Sequence, residues 1–372
     1  MSVYLHEGDC LDVLKTMPSE SVDSVVTDPP YGLSFMGRKW DYDVPTIAIW
    51  QETLRVLKPG GHLLSFSGTR TYHRMVVAIE DAGFEIRDQI GWLYGSGFPK
   101  TPNALKPAWE PIVLARKASS GTVAENIVAH GTGAINIGEC RVQYTSASDF
   151  ENAKGGNSGS VSCDMDGWGF KTAKPQSAKI SADGRWPANV IHDGSDEVLE
   201  AFAASGERGA GGGKQRIITR NTALGRMNDG AWKPKSIEGA LRDHGDTGTA
   251  ARFFYCAKTS KAERNGSKHP TVKPVSLMRY LCRLVTPPNG IVLDPFAGTG
   301  TTGQAAIDEG FSAILIEQEP EYCATIRWRL ALWLTPAPDP AALTQRNPSV
   351  PSPDANQDNA QDISSPPHGS DH

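Results

Sequence analysis

GIVLDPFAGTGTTGQAA, residues 290–306, passes from an apolar run through an acid and a glycine-rich turn into a helical pattern. The run IVL reads as a buried strand and TTGQAAIDEG as the helix that follows it. In open α/β sheets, ligands lie beyond the carboxyl ends of strands, and glycines there let the backbone approach them closely. Asp294 closes the strand, Gly298 and Gly300 form the turn, and Thr301 opens the helix. The next strand, SAILIE, ends on a second acid, Glu317, placed to accept the hydroxyls of a ribose. A tight strand–helix connection alone favours glycine, but the whole series of acid, turn, helix, strand and acid favours a bound ligand. No Gly-Lys-Ser/Thr follows, which excludes a P-loop; a nicotinamide cofactor stays open on this element alone.

Residues 1–118 repeat the same alternation. VYLHEG, VDSVVTD, HLLSFSG, IRDQIGWLYG and EPIVLARK read as strands, and CLDVLKTM, IAIWQETLRVLKPGG and MVVAIEDAGF as helices, the second of them closed by glycine. After residue 252 the texture resumes, with a helix in HPTVKPVSLMRYLCRLV and a last one in EYCATIRWRLALWL. The alternation predicts an open, largely parallel sheet with helices on both faces. Between lie residues 119–251, rich in glycine, serine, asparagine and charge, where periodicity fades. Within 205–236 seven basic residues face two acidic ones, a local basic surface in a chain of net charge −5. Residues 336–372 hold eight prolines, five aspartates and no lysine, and are expected to be a disordered tail.

The six cysteines are scattered, with no CxxC pair or metal-ligand spacing, so no metal is expected and the thiols read as those of a reducing compartment. MSVYLHEGDC lacks the pattern of a signal peptide, and no apolar run approaches the roughly 20 residues that span a bilayer. A soluble, cytoplasmic protein is expected.

The second decisive stretch is TDPPYGLSF, residues 27–35. An acid, two prolines and a tyrosine follow the strand VDSVV directly. Asp28 and the carbonyl of Pro29, stiffened by Pro30, make a rigid pair of acceptors, and Tyr31 offers a face for an aromatic ring. A stiff turn is the simpler account. An acid and an aromatic at a strand's carboxyl end, beside a ligand-type turn, favour catalysis on a flat, amine-bearing ring.

Taken together, DPFAGTGTT with Glu317 resembles the S-adenosylmethionine-binding motif of amino-group DNA methyltransferases. TDPPY resembles their catalytic motif, and HPTVKP (269–274) the segment preceding their cofactor turn. The catalytic motif precedes the cofactor motif, an order similar to that of the beta class. The resemblance covers 1–118 and 252–335 and is weakest between them. It implies a Rossmann-like, seven-stranded, mostly parallel sheet with circularly permuted motif order and an inserted irregular recognition region. By domain, 1–118 would be the catalytic half, 119–251 the target-recognition insert, and 252–335 the cofactor half.

The resemblance also implies roles. Asp294 would contact the methionine part of S-adenosyl-L-methionine and Glu317 its ribose, with Pro295, Phe296, Gly298, Gly300 and Thr301 lining the pocket. Asp9 and Cys10 would lie by the adenine; Asp9 reads equally as the N-cap of CLDVLKTM. Thr271 and Lys273 would close the pocket near the donor's carboxylate, though Lys273 also reads as a solvated helix-start lysine. The target base would be flipped out of double-stranded DNA. Arg38, Lys39, Arg216, Arg220 and Arg226 are the candidate DNA contacts, each of which also reads as an ordinary surface charge.

Aspartate in the catalytic motif leans toward adenine-N6, with cytosine-N4 as the alternative. Cytosine-C5 chemistry needs a Pro-Cys nucleophile that the chain lacks. A protein glutamine methyltransferase has asparagine for the acid and the opposite motif order. A DNA-binding module without catalysis is the reading from another class. A homodimer and a separate restriction nuclease are the further partners implied.

Overall fold

The structure, a computed structural model, describes residues 1–33, 41–99, 101–155, 181–204, 249–257 and 272–335. In chain order its elements are β1 (Val3–Glu7), α1 (Cys10–Thr16), β2 (Val22–Thr27), α2 (Ile47–Val56), β3 (Leu57–Phe66), α3 (Tyr72–Asp81), β4 (Glu85–Leu93), β5 (Trp109–Arg116), α4 (Val123–His130) and α5 (Ala147–Gly155). There follow β6 (Val190–His192), α6 (Asp196–Ala203), β7 (Tyr255–Cys256), α7 (Val275–Val285), β8 (Ile291–Asp294), α8 (Thr301–Asp308), β9 (Ser312–Glu317) and α9 (Pro320–Arg329).

Among the described residues the sheet has nine strands in the order β1-β9-β8-β2-β3-β5-β4-β6-β7. The expected count was seven. The two extra strands, β6 and β7, are three and two residues long, too short to carry a period-2 pattern. The α/β class is as expected. Pairing is parallel from β1 through β3, whereas β5 runs antiparallel between β3 and β4. Another difference lies at the end of α2, which stops at Val56 instead of running to the glycines. Pro59 cannot continue a helix, and Gly60, at φ 74°, donates to Lys117 and Ala118 carbonyls, so LKPGG joins β3.

The described residues fall into two compact units. In the first, Met1–Cys140 with Asn189–Asp193 and the part from Cys256 onward, helices cover both faces of the sheet. Leu14, Trp50, Leu63, Met75, Ile79, Leu293 and Ile316 are buried in one core cluster. The buried Asp23 anchors Lys58 at 2.6 Å and accepts the Ile291 N–H at 2.7 Å, tying β2 to the start of β8. Also in this unit, α4 forms where no helix was expected. Its N-terminus has a capping box between Thr122 and Glu125, and Gly131 caps its end in the left-handed conformation.

The second unit comprises Arg141–Ala188 with Gly194–Tyr255. Its centre is Asp149, gripped by both ends of the Arg185 guanidinium, which stacks 4.5 Å from the Tyr144 ring centre. Burial opposes the Asp149 charge, but the Arg185 and Thr145 hydrogen bonds hold its pKa down at about 2. Trp186 is 62% exposed with Arg141 over its ring.

Parallel pairing brings the carboxyl ends of β1, β2, β8 and β9 to one edge of the first unit, with Glu7 opposite Glu317 and Asp294 opposite Leu315. Because β5 is antiparallel and Ile112 pairs with Phe66, the first residues of β5 emerge at that same edge.

Candidate active site

At this edge lies a cavity of about 480 Å³. Asp28, Pro29, Pro30 and Tyr31 line it together with Asp294, Pro295, Phe296, Gly298 and Thr301, so both sequence motifs open into one space. Asp9, Cys10, Lys273 and Glu317 line it as well. Gly298 and Gly300 adopt φ of 53° and 78°, and a Cβ on Gly300 would stand 3.0 Å from Ile326 Cγ1. The turn therefore needs glycine for both conformation and space.

The two acids of the glycine turn are bound into it. Asp294 accepts from Thr27 Oγ1 at 2.6 Å, Thr302 Oγ1 at 2.5 Å and the Phe296 N–H at 3.1 Å. Both of its oxygens organise the turn and pin it to the last residue of β2. Burial pushes its pKa up to about 6 against those three bonds. Glu317 accepts the Gly298 N–H at 2.7 Å and the Glu319 N–H at 2.8 Å. Its burial, with Asp294 nearby, pushes it up to about 7. Asp9 is the N-cap of α1, accepting from Leu11 and Asp12 N–H groups, while also facing the cavity. Burial and Asp9 raise the Cys10 thiol to about 12, so it stays protonated.

The other wall is a cluster of four polar side chains. Lys273 Nζ lies 2.6 Å from Asp28 Oδ2, 3.1 Å from Tyr31 Oη and 3.5 Å from Glu110 Oε1. Tyr31 Oη lies 2.6 Å from Asp28 Oδ1 and 2.9 Å from Glu110 Oε1. Burial alone would lower the Lys273 pKa, yet the neighbouring carboxylates, Asp28 first, hold it above its ordinary value. Burial and the same two acids keep Tyr31 a neutral phenol. Lys273, read from sequence as a cofactor contact or a solvated lysine, is buried here with its charge turned onto Asp28.

Asp41 completes this wall from behind. Its carboxylate accepts the consecutive N–H groups of Tyr31, Gly32 and Leu33 at 2.7, 3.0 and 3.3 Å, fixing the backbone that follows the prolines.

Arg38, Lys39, Arg216, Arg220, Arg226 and Thr271 lie outside the described residues, as do 336–372. The sequence reading missed Glu110 and Asp41. An acid opening the strand EPIVLARK was the available signal for Glu110, but it points to the site only once β5 is known to be antiparallel. Asp193 takes a structural part, accepting the Gly95 N–H at 2.9 Å.

Residues 22–327 match the N6_N4_Mtase family model, described as DNA methylase. The chain belongs to this DNA methylase family. The methylase is 23% identical over 323 residues to the type II methyltransferase M.ScaI of Streptomyces caespitosus, covering 86% of this chain and 78% of that protein. A shorter stretch of 72 residues is 40% identical to the type II methyltransferase M2.LlaDCHI of Lactococcus lactis subsp. cremoris. That match spans 19% of the methylase and about a quarter (27%) of the relative. Among solved structures, the M1.HpyAVI–SAM complex is similar at 18% identity and a TM-score of 0.45, covering 88% of this chain and 98% of that one. Among the described residues, no helix of the methylase is long and apolar enough to cross a membrane.

Proposed function

We propose that this methylase transfers a methyl group from S-adenosyl-L-methionine to the exocyclic N6 amine of adenine in double-stranded DNA, on a base flipped out of the helix. One observation carries the reading: the acid-and-proline turn and the glycine turn line one cavity and are joined by the Thr27–Asp294 hydrogen bond. A sulfonium donor is a cation, and Asp9, Asp28, Asp294 and Glu317 give the cavity an acidic lining that suits one. Gly298 to Thr301 would lie along the donor, with Glu317 and Phe296 beside it. When bound, the donor would supply an electrophilic methyl carbon; as the nitrogen–carbon bond forms, the sulfur–methyl bond would break to leave the neutral thioether, and the amine would then lose its surplus proton to Asp28 or to solvent.

The chain's own residues do the rest. The lone pair of an aromatic amine is delocalised into its ring, so the nitrogen attacks poorly. Asp28 accepts one amine N–H and the Pro29 carbonyl the other, which localises the lone pair and turns it toward the methyl carbon. Two prolines keep this acceptor pair from reorganising. The Tyr31 ring supports the extruded base, and stacking contacts of this kind are worth roughly 1–3 kcal/mol. Residues 119–251 would carry target recognition, and Arg38, Lys39, Arg216, Arg220 and Arg226 would meet phosphates.

The test is incubation of the purified chain with duplex DNA and methyl-labelled donor, followed by nucleoside mass spectrometry. N6-methyladenine is the expected product; N4-methylcytosine alone would replace the adenine assignment, and no methylated base would overturn the reading. Asp28→Ala is expected to abolish incorporation while donor affinity stays within a few-fold, since Asp28 is not part of the glycine turn. Near-normal turnover in that variant would remove Asp28 from its role.

A further inference from the structure

The Tyr31 hydroxyl stands between two carboxyl groups, 2.6 Å from Asp28 Oδ1 and 2.9 Å from Glu110 Oε1, and it owns one hydrogen. It can donate to one of them only. If both acids were anions, the unserved one would face a phenolic oxygen at hydrogen-bond distance with no hydrogen between them, in a buried site. A second proton on the Glu110 carboxyl resolves the geometry. Glu110 then donates to Tyr31 Oη, Tyr31 donates to Asp28, and Lys273 donates to Asp28 at 2.6 Å.

We infer that Glu110 is a positioning residue of the proposed methyl transfer: as a neutral acid it donates to Tyr31, and so aims the Tyr31 hydroxyl at Asp28. The inference rests on the reading of Asp28 given above. It also follows the lengths in the cluster. Tyr31–Asp28 is the shorter contact of the hydroxyl, and Lys273 lies nearer Asp28 than Glu110, at 2.6 against 3.5 Å. With Glu110 neutral, Asp28 and Lys273 cancel and the buried cluster carries no net charge, the least costly state away from water. Burial likewise drives the Glu110 pKa above its ordinary value, against the pull of Lys273. The hydrogen-bonded chain Glu110–Tyr31–Asp28 polarises along its length, and it fixes one oxygen of Asp28 while Lys273 fixes the other.

The groups that bear on Glu110 are Asp28 and Tyr31 after β2, Lys273 before α7, and the Tyr94 phenol just after β4. As pH rises and Glu110 loses its proton, the Tyr31 hydrogen is drawn toward the new anion and Lys273 is shared between two carboxylates. Asp28 then loses its fixed orientation, and methyl transfer slows.

Two measurements test this. Infrared difference spectra of the protein without DNA or donor are expected to show a neutral-carboxyl band that disappears in Glu110→Gln and shifts in Tyr31→Phe, which removes the proton's acceptor. Single-turnover methyl transfer by the wild-type chain is expected to decline on the alkaline side, with that limb absent in Glu110→Gln. Glu110→Val, which cannot donate, is expected to be roughly 10²-fold slower than wild type on the plateau below the alkaline limb, the scale of a mispositioned catalytic group, and to lack that limb. Glu110→Gln, whose amide can donate to Tyr31, is expected to recover part of that loss. Wild-type and Glu110→Gln spectra that superimpose in the neutral-carboxyl region, or equal alkaline limbs, would overturn the inference. Because the spectra need no turnover, they judge Glu110 separately from the proposed function, which is judged by the methylated base that the wild-type chain forms.

Discussion

Replacing Glu317 by glutamine isolates the cost of holding a charge behind the glycine turn. In the folded chain this carboxyl rises from an ordinary 4.5 to about 7, chiefly through burial. Each pKa unit is worth about 1.4 kcal/mol, so the ionised side chain is roughly 3 kcal/mol less at home in the folded state than the neutral one. The folded value is the raised one. The stability contributed by the neutral acid is therefore complete below about 4.5 and is lost as pH rises through about 7. Between pH 5 and pH 8 the wild-type chain is expected to lose roughly 2.5 kcal/mol relative to Glu317→Gln, from integrating that single titration. Paired urea unfolding series at constant ionic strength measure the difference directly. Asp294, raised to about 6, titrates in both proteins and cancels to first order. Two stability curves that stay parallel from pH 5 to pH 8 would show that Glu317 does not titrate where its surroundings place it.

Three further outcomes follow from individual contacts. Thr27→Val keeps the side-chain shape but removes the 2.6 Å bond to Asp294, and is expected to cost roughly 1.5–3 kcal/mol in urea unfolding, the range for a bond to a charged group. Gly300→Ala forces a side chain into φ 78° with its Cβ 3.0 Å from Ile326, and is expected to destabilise by about 1–2 kcal/mol and to weaken donor binding measured calorimetrically. Asp41→Ala releases three consecutive N–H groups behind Tyr31, and should lower single-turnover methyl transfer far more than donor affinity; equal losses in both would give Asp41 a part in general folding and none in the proposed transfer.

The parts of this molecule that could be read from sequence are those whose signal is local. An apolar run ending in an acid gave β2 with Asp28, β8 with Asp294 and β9 with Glu317, because strand, turn and acid are adjacent in the chain. The pairing of Lys273 with Asp28 was not legible: the lysine's position before α7 is local, but its reach to Asp28 crosses 245 positions. Glu110 escaped for a related reason. The hydrophobic run of β5 is the same whichever way the strand points, and only pairing against β3 shows that its beginning, not its end, faces the cavity. Asp41 lies in a stretch of glycine, charge and tryptophan with no period, and its function depends on three backbone groups rather than on any side-chain motif.

The placement of β1 and β2 has a consequence for biosynthesis. In the finished sheet β1 pairs with β9, and β2 lies between β3 and β8. A ribosome that has released the first two strands must still make everything up to residue 317 before their remaining partners exist, roughly 15 to 60 s at 5–20 residues per second. Through that interval the buried run VDSVV presents an open edge to the cell. The seam that carries the Thr27–Asp294 bond cannot close before β8 is made, and β1 waits longer still for β9, so a nascent chain completes this cavity only when most of it has been translated, and chaperone demand should be highest before β8 emerges.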